Sequence, residues 1–170
     1  TDYKITHRVY LLDAGKESRP DRTFVEGLNL PASKQDEVLK KLQSIEDMAA
    51  KVGLHYDMAH IPDIATEDAH RLTLWAQEQD KHVALNTFEE CQDISDFDLL
   101  ADLAAECGLN RDDALAVLQD PGAYRGQIFE DFEEADERDI DLVPHYTFNG
   151  KIEIMGIMTL TAIRKHIEMA

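Results

Sequence analysis

Apolar residues alternate over Tyr3 to Leu12, with Ile5, Val9 and Leu11 on one side and Tyr10 and Leu12 on the other. Apolar groups on both sides predict a strand covered on both faces. A polar stretch from Asp13 to Arg22 and a connector ending at Pro31 follow. The period then changes: Val38, Leu42, Ile45, Ala49 and Val52 recur at helical spacing, with Ser33 as the expected cap and Gly53 as the stop. His55 to Ile61 reads as a short extended or irregular piece. Thr66 then caps a helix running through Ala69, Leu72, Trp75 and Ala76.

Further helices are predicted from about Lys81 to Cys91, from Asp96 to Cys107 with Gly108 as the stop, from Asn110 as cap to Leu118, and from Tyr124 to Arg138. The middle of the chain is therefore almost wholly helical. Its end changes character at Val143-Pro144-His145-Tyr146-Thr147-Phe148-Asn149-Gly150-Lys151-Ile152-Glu153-Ile154. Asn149-Gly150 accepts the positive φ values of a type I′ turn, so residues 145 to 154 read as a tight hairpin. Proline at its mouth cannot donate a ladder hydrogen bond and is a natural place for a cis peptide. A closing helix follows from Thr159 to Glu168.

Composition narrows the function classes. The 170 residues have the length of one domain, and 44% hydrophobic residues suit a packed core. Lys and Arg number 17 against 35 Asp and Glu, a formal charge of −18, densest in acid between Glu130 and Asp141. Such a surface argues against nucleic acid or an anionic membrane as the main partner. No apolar run approaches the ~20 residues of a membrane span. The two cysteines, Cys91 and Cys107, make no secreted disulfide framework, and the reducing cytoplasm is the expected location.

Neither cysteine has the spacing of a Cys-x-x-Cys pair. Cys107 continues the apolar stripe of Leu100, Leu103 and Ala104 and reads as a buried, inert thiol. Cys91 lies beside Glu89, Glu90 and Asp93, whose negative charge disfavours the thiolate. His55 and His60 with Asp57 and Asp63 form the nearest approach to a metal cluster, but without helical spacing or cysteine partners; no metal site is expected. His70, just after its helix cap, suits packing or hydrogen bonding.

An X-Pro-strand-turn-strand unit closed by a helix is how the second half of a thioredoxin-like domain reads. Thr66-Glu67-Asp68-Ala69-His70-Arg71-Leu72, then Asp93-Ile94-Ser95-Asp96, then Leu103-Ala104-Ala105-Glu106-Cys107-Gly108-Leu109, and finally Val143-Pro144 with Phe148-Asn149-Gly150-Lys151 and Gly156 follow one another in this chain. In order and approximate spacing this set resembles the FrnE-like branch of the DsbA family. The resemblance implies an α/β, thioredoxin-like fold over residues 1–170 as a single domain, with an all-helical insertion at about 33–120. In that fold Tyr3 to Leu12 would be the second strand, and its neighbour in the sheet would be the first strand, expected with its helix ahead of Thr1. Another element or another chain filling that place is the alternative.

The same resemblance implies thiol-disulfide oxidoreductase or isomerase activity in the cytoplasm. Its partners would be a thiol- or disulfide-containing protein or small molecule, a homodimer is compatible with it, and no cofactor is expected unless glutathione serves. Relatives carry Cys-x-x-Cys at the start of the first helix, where free amides and the helix dipole favour the thiolate; here that pair would lie upstream of Thr1. Pro144 matches the family's cis-proline loop, which makes Val143, Pro144 and His145 the substrate-binding candidates. His145, Tyr146 and Met155-Gly156-Ile157-Met158 depart from the residues usual in relatives and bear on substrate range. Two other functions fit the same fold: a glutathione-dependent isomerase of the 2-hydroxychromene-2-carboxylate class, and a redox-inactive module that binds extended peptide.

Overall fold

The computed structural model describes residues 4–81 and 90–170, and these form two compact units. The first takes in Leu11–Gly126 together with residues 4–7; the second takes in Arg8–Tyr10 and Gln127–Ala170. Among the described residues no helix is long and apolar enough to cross a membrane. The helix expected from Lys81 to Cys91 falls mostly on residues outside the described ones.

In the first unit, β1 (Arg19–Thr23) pairs antiparallel with β2 (Pro62–Asp63). Thr23 ends β1 and caps the short α1 (Phe24–Gly27): its hydroxyl accepts from Glu26 N, and the Glu26 carboxylate accepts from Thr23 N at 2.7 Å. The polar sequence of β1 reads as loop, and its Arg19 stands opposite the buried Asp63 in the ladder. Asp63 is 3% exposed and receives Lys16 Nζ and Arg22 Nη2, each at 2.7 Å.

Helix α2 (Ala32–Ala50) begins one residue ahead of its expected Ser33 cap. Pro31 is the N-cap and its carbonyl accepts from Lys34 N and Gln35 N, so Ser33 falls inside the first turn. Of the stripe predicted for its core face only Ala49 is buried, and Val52 is 74% exposed. Gly53 adopts φ +84 just beyond the helix, as a stop requires.

The packed centre of this unit is a trio of helices: α3 (Glu67–Glu78), α4 (Phe97–Glu106) and α5 (Arg111–Gln119). Leu72, Ala76, Leu100, Ala101, Ala104, Ala114 and Leu118 interlock there with almost no exposure. Each of the three leucines stabilises the fold by about 2 kcal/mol through area removed from water. The connection between α4 and α5 follows from local chemistry. Gly108 at φ +83 lets Leu109 N reach Ala104 O at 3.1 Å and Gly108 N reach Ala105 O at 2.9 Å, which satisfies the orphan carbonyls of α4. Asn110 Oδ1 then accepts from Asp112 N and Asp113 N to start α5.

The second unit contains most of α6 (Arg125–Glu137), the hairpin of β3 (His145–Phe148) and β4 (Ile152–Met155), and α7 (Leu160–Met169). Asn149 and Gly150 adopt φ +50 and +65, and Lys151 N closes the turn on Phe148 O at 3.0 Å. Pairing of Phe148 with Ile152 leaves Lys151 outside the ladder. Thr159 Oγ1 accepts from Ala162 N and starts α7. Tyr146 and Phe148 share one hairpin face, where the Phe148 ring lies 5.7 Å from the His166 imidazole of α7.

The strand expected over Tyr3 to Leu12 is not formed in the described part, residues 4–12. Ile5 and Leu12 are exposed, so cover on both faces fails. A strand needs a neighbour for its amides, and here they turn to side chains: His7 N donates to Gln77 Oε1 at 2.6 Å, and Val9 N to Asp131 Oδ2 at 2.8 Å.

Candidate functional site

The hairpin places the residues singled out from sequence at its open end. The Val143–Pro144 peptide is cis. Pro144 O accepts from Gly156 N at 2.8 Å, which ties the loop ahead of β3 to the residue just after β4. Gly156 adopts φ +87, a backbone region that disfavours any other residue there. Among the described residues the backbone N–H and C=O of Val143 have no hydrogen-bond partner. Val143 itself is half-buried and Pro144 exposed. Around them Leu142, Met155, Ile157 and Leu160 are exposed, Ile157 to 75%. An open donor and acceptor beside an apolar rim is the arrangement an extended chain can pair with.

His145 stands directly opposite Met155 of that rim, on the same hairpin face. It shares a hairpin face with Thr147 and Glu153, since Thr147 lies opposite Glu153 and side chains two apart share a face. The His145 side chain is only 10% exposed, and its Nε2 lies 3.8 Å from Glu153 Oε2. The other Glu153 oxygen receives Arg138 Nη2 at 2.6 Å, and the same nitrogen donates to Thr147 Oγ1 at 2.7 Å. Arg138 Nη1 meanwhile donates to Glu134 Oε1 at 2.7 Å. The hydrogen bonds to Glu153 and then Glu134 hold the Arg138 pKa above its ordinary value. A chain of four charged or ionisable groups thus runs from α6 to the residue after Pro144. Sequence reasoning missed it, although hairpin register and the spacing of Glu134 and Arg138 both carry the signal.

The cysteines stand elsewhere, both in the first unit. Cys91 is half-buried and its thiol donates to Asp57 O at 3.5 Å. Burial, and then the Asp57 charge, push its pKa up, so the thiolate is scarce. Cys107 is half-buried against the helical core. The histidine and aspartate group does not converge either. His60 Nδ1 lies 2.7 Å from Asp57 Oδ1, while Asp63 is committed to Lys16 and Arg22. Among the described residues no cluster of three or more potential ligands could hold a metal ion. His70 is half-buried in α3, and that burial lowers its pKa.

A block of helices followed by a proline-led hairpin and a closing helix is the element order of a thioredoxin-like fold with a helical insertion. The model for the DSBA-like thioredoxin domain matches residues 1–168, and the chain belongs to that family. Among solved structures, the chain is similar to a probable DsbA oxidoreductase from Streptomyces coelicolor, with a TM-score of 0.81 and 25% identity over 96% of this chain and 73% of that one. Among curated proteins, none matches the sequence.

Proposed function

We propose that this chain forms the substrate-facing part of a thiol-disulfide oxidoreductase of the FrnE-like branch, working in a reducing cytoplasm on thiol- or disulfide-containing substrates. The observation that carries this reading is the open backbone of Val143 beside the exposed apolar rim, in a chain of the DSBA-like family. In the reaction, an attacking thiolate forms a mixed disulfide with one substrate sulfur and expels the other as a thiolate. A second thiol then attacks the mixed disulfide, releasing the first substrate sulfur as a thiolate and leaving the enzyme pair oxidised. Val143 pairs with the substrate backbone and Leu142, Met155 and Ile157 cover its apolar side. Cys91 is a poor source of the attacking thiolate because burial and Asp57 disfavour ionisation. This reading therefore assigns the attack to cysteines outside this sequence.

The test is insulin reduction by the protein as encoded, with a Cys91→Ser/Cys107→Ala double variant beside it. The expected outcome is turnover that survives the double substitution within about twofold, because neither thiol is on the reaction path. Loss of turnover in the double variant with an intact fold would place the chemistry on these residues and overturn the assignment. Glutathione binding by calorimetry without protein-thiol turnover would favour the isomerase alternative.

A further inference from the structure

Resting on the proposed function, we infer that the Val143 site takes extended polypeptide in which lysine or arginine flanks an apolar residue. The open N–H and C=O of Val143 call for a backbone partner. The apolar preference comes from the rim of Leu142, Met155 and Ile157, each more than half exposed. The basic preference comes from what borders that rim in the chain. Asp139 and Asp141 are exposed on the segment that leads into Leu142, and among the described residues neither has an ion-pair partner. They follow the C-terminal end of α6, whose last turn holds no basic residue and whose outward carbonyls carry partial negative charge.

The hairpin side of the border has the same sign. Glu153 shares a face with Met155, because side chains two apart along β4 point the same way. Arg8 and Arg138 between them serve three carboxylates, Asp131, Glu134 and Glu153, so that network keeps one negative charge in excess. The remaining cations of this unit lie elsewhere in the chain. Lys151 is at the turn, the far end of the hairpin from Val143, with Nζ donating to Ala170 O at 3.3 Å. Arg164 and Lys165 begin one turn along α7 from Leu160. Lysine and arginine suit both features of the border: the methylene stem covers apolar surface while the charged head stays in water beside the carboxylates. Because those carboxylates are exposed, the preference is moderate and salt weakens it.

Calorimetry on the protein as encoded tests this with peptides of about seven residues, long enough to pair along an extended edge. They share an apolar centre built on S-methylcysteine, which binds without thiol exchange, and carry lysine, glutamine or glutamate at the flanks. At about 20 mM salt the lysine peptide should bind about tenfold tighter than the glutamate peptide, narrowing to under about twofold at about 0.5 M. Asp139→Asn/Asp141→Asn should weaken the lysine peptide and tighten the glutamate peptide by about threefold each. Damage to the fold cannot produce that pair of opposite changes. Glu130→Gln/Glu133→Gln removes the same charge from exposed positions earlier in α6 and should leave the preference above about fivefold. Equal loss of preference in the two double variants would assign it to net charge alone and overturn the inference. Binding of all the peptides with equal affinity overturns this inference and leaves the proposed function standing. No binding of any peptide overturns both.

Discussion

Replacing Arg71 with methionine lowers the unfolding free energy by about 3–5 kcal/mol, the expected cost of removing one member from a buried charged network. Arg71 is 1% exposed. Its guanidinium donates to Ala123 O at 2.7 Å, Val117 O at 2.6 Å, Leu118 O at 3.4 Å and Asp120 O, and it pairs with Asp68 at 2.5 Å. Val117 and Leu118 lie in the last turn of α5, and Asp120 and Ala123 in the turn that follows. Those of Val117 and Leu118 are among the carbonyls a helix end leaves without intrahelical partners, and one planar fork reaches them together with those of Asp120 and Ala123. Methionine keeps most of the volume and none of the donors. Arg71→Lys should recover less than half of the loss, because one ammonium cannot span the carbonyls. Urea unfolding checks both; a loss under about 1 kcal/mol for the methionine variant would mean that water reaches those carbonyls instead.

The second large effect is expected at Gly27. A Cβ built there overlaps the Asp63 carboxylate. That carboxylate cannot retreat, being buried and held by Lys16 and Arg22. Gly27→Ala should therefore cost about 2–4 kcal/mol, by overpacking against a charge that must then break its pairs. Asp63→Ala in the same background should relieve the clash, so the double variant loses less than the sum of the two single changes. Additive losses in urea unfolding would show that the two residues do not meet.

Asp63 also sets an acid limb to stability. Burial alone would raise its pKa, and the contacts with Lys16 and Arg22 outweigh burial, so it lies below the ordinary carboxylate value. A depressed pKa in the folded state contributes stability that is fully present above the unfolded value, about 3.9, and is lost as pH falls through the folded one. Urea midpoints measured from about pH 6 down to about pH 2.5 should fall, and Asp63→Asn should flatten that fall. An unchanged acid limb in the variant would assign it to other carboxylates.

Much of this molecule is legible from short-range pattern. Asp96, Gly108 and Asn110 mark the ends of α4 and α5 because caps are local hydrogen bonds between residues two to five apart. Asn149-Gly150 marks the hairpin for the same reason: the turn needs two positive φ values that these residues tolerate. Strand β1 was hidden because nothing local holds it. Arg19-Pro20-Asp21-Arg22-Thr23 alternates no apolar residues, and its partner Asp63 lies far along the chain. The Thr23-x-x-Glu26 capping box was a visible local mark of where that segment turns helical. Strand alternation over Tyr3 to Leu12 misled for the opposite reason. Alternation describes which faces a strand would show, and a strand also needs a neighbour to receive its amides.

The candidate site divides along the same line. Sequence alone determined that a proline opens a tight hairpin at Val143 to Ile154, that helices fill the middle of the chain, and that Cys91 and Cys107 lack the spacing of a Cys-x-x-Cys pair, since each of these rests on neighbours in the chain. Tertiary structure alone decided that the Val143 backbone stays open beside an apolar rim, and that Cys91 rests on Asp57. It also set His145 Nε2 3.8 Å from Glu153, whose carboxylate Arg138 already holds. Those facts depend on which distant groups share a few ångströms of space, and burial and charge pairing act over just that range.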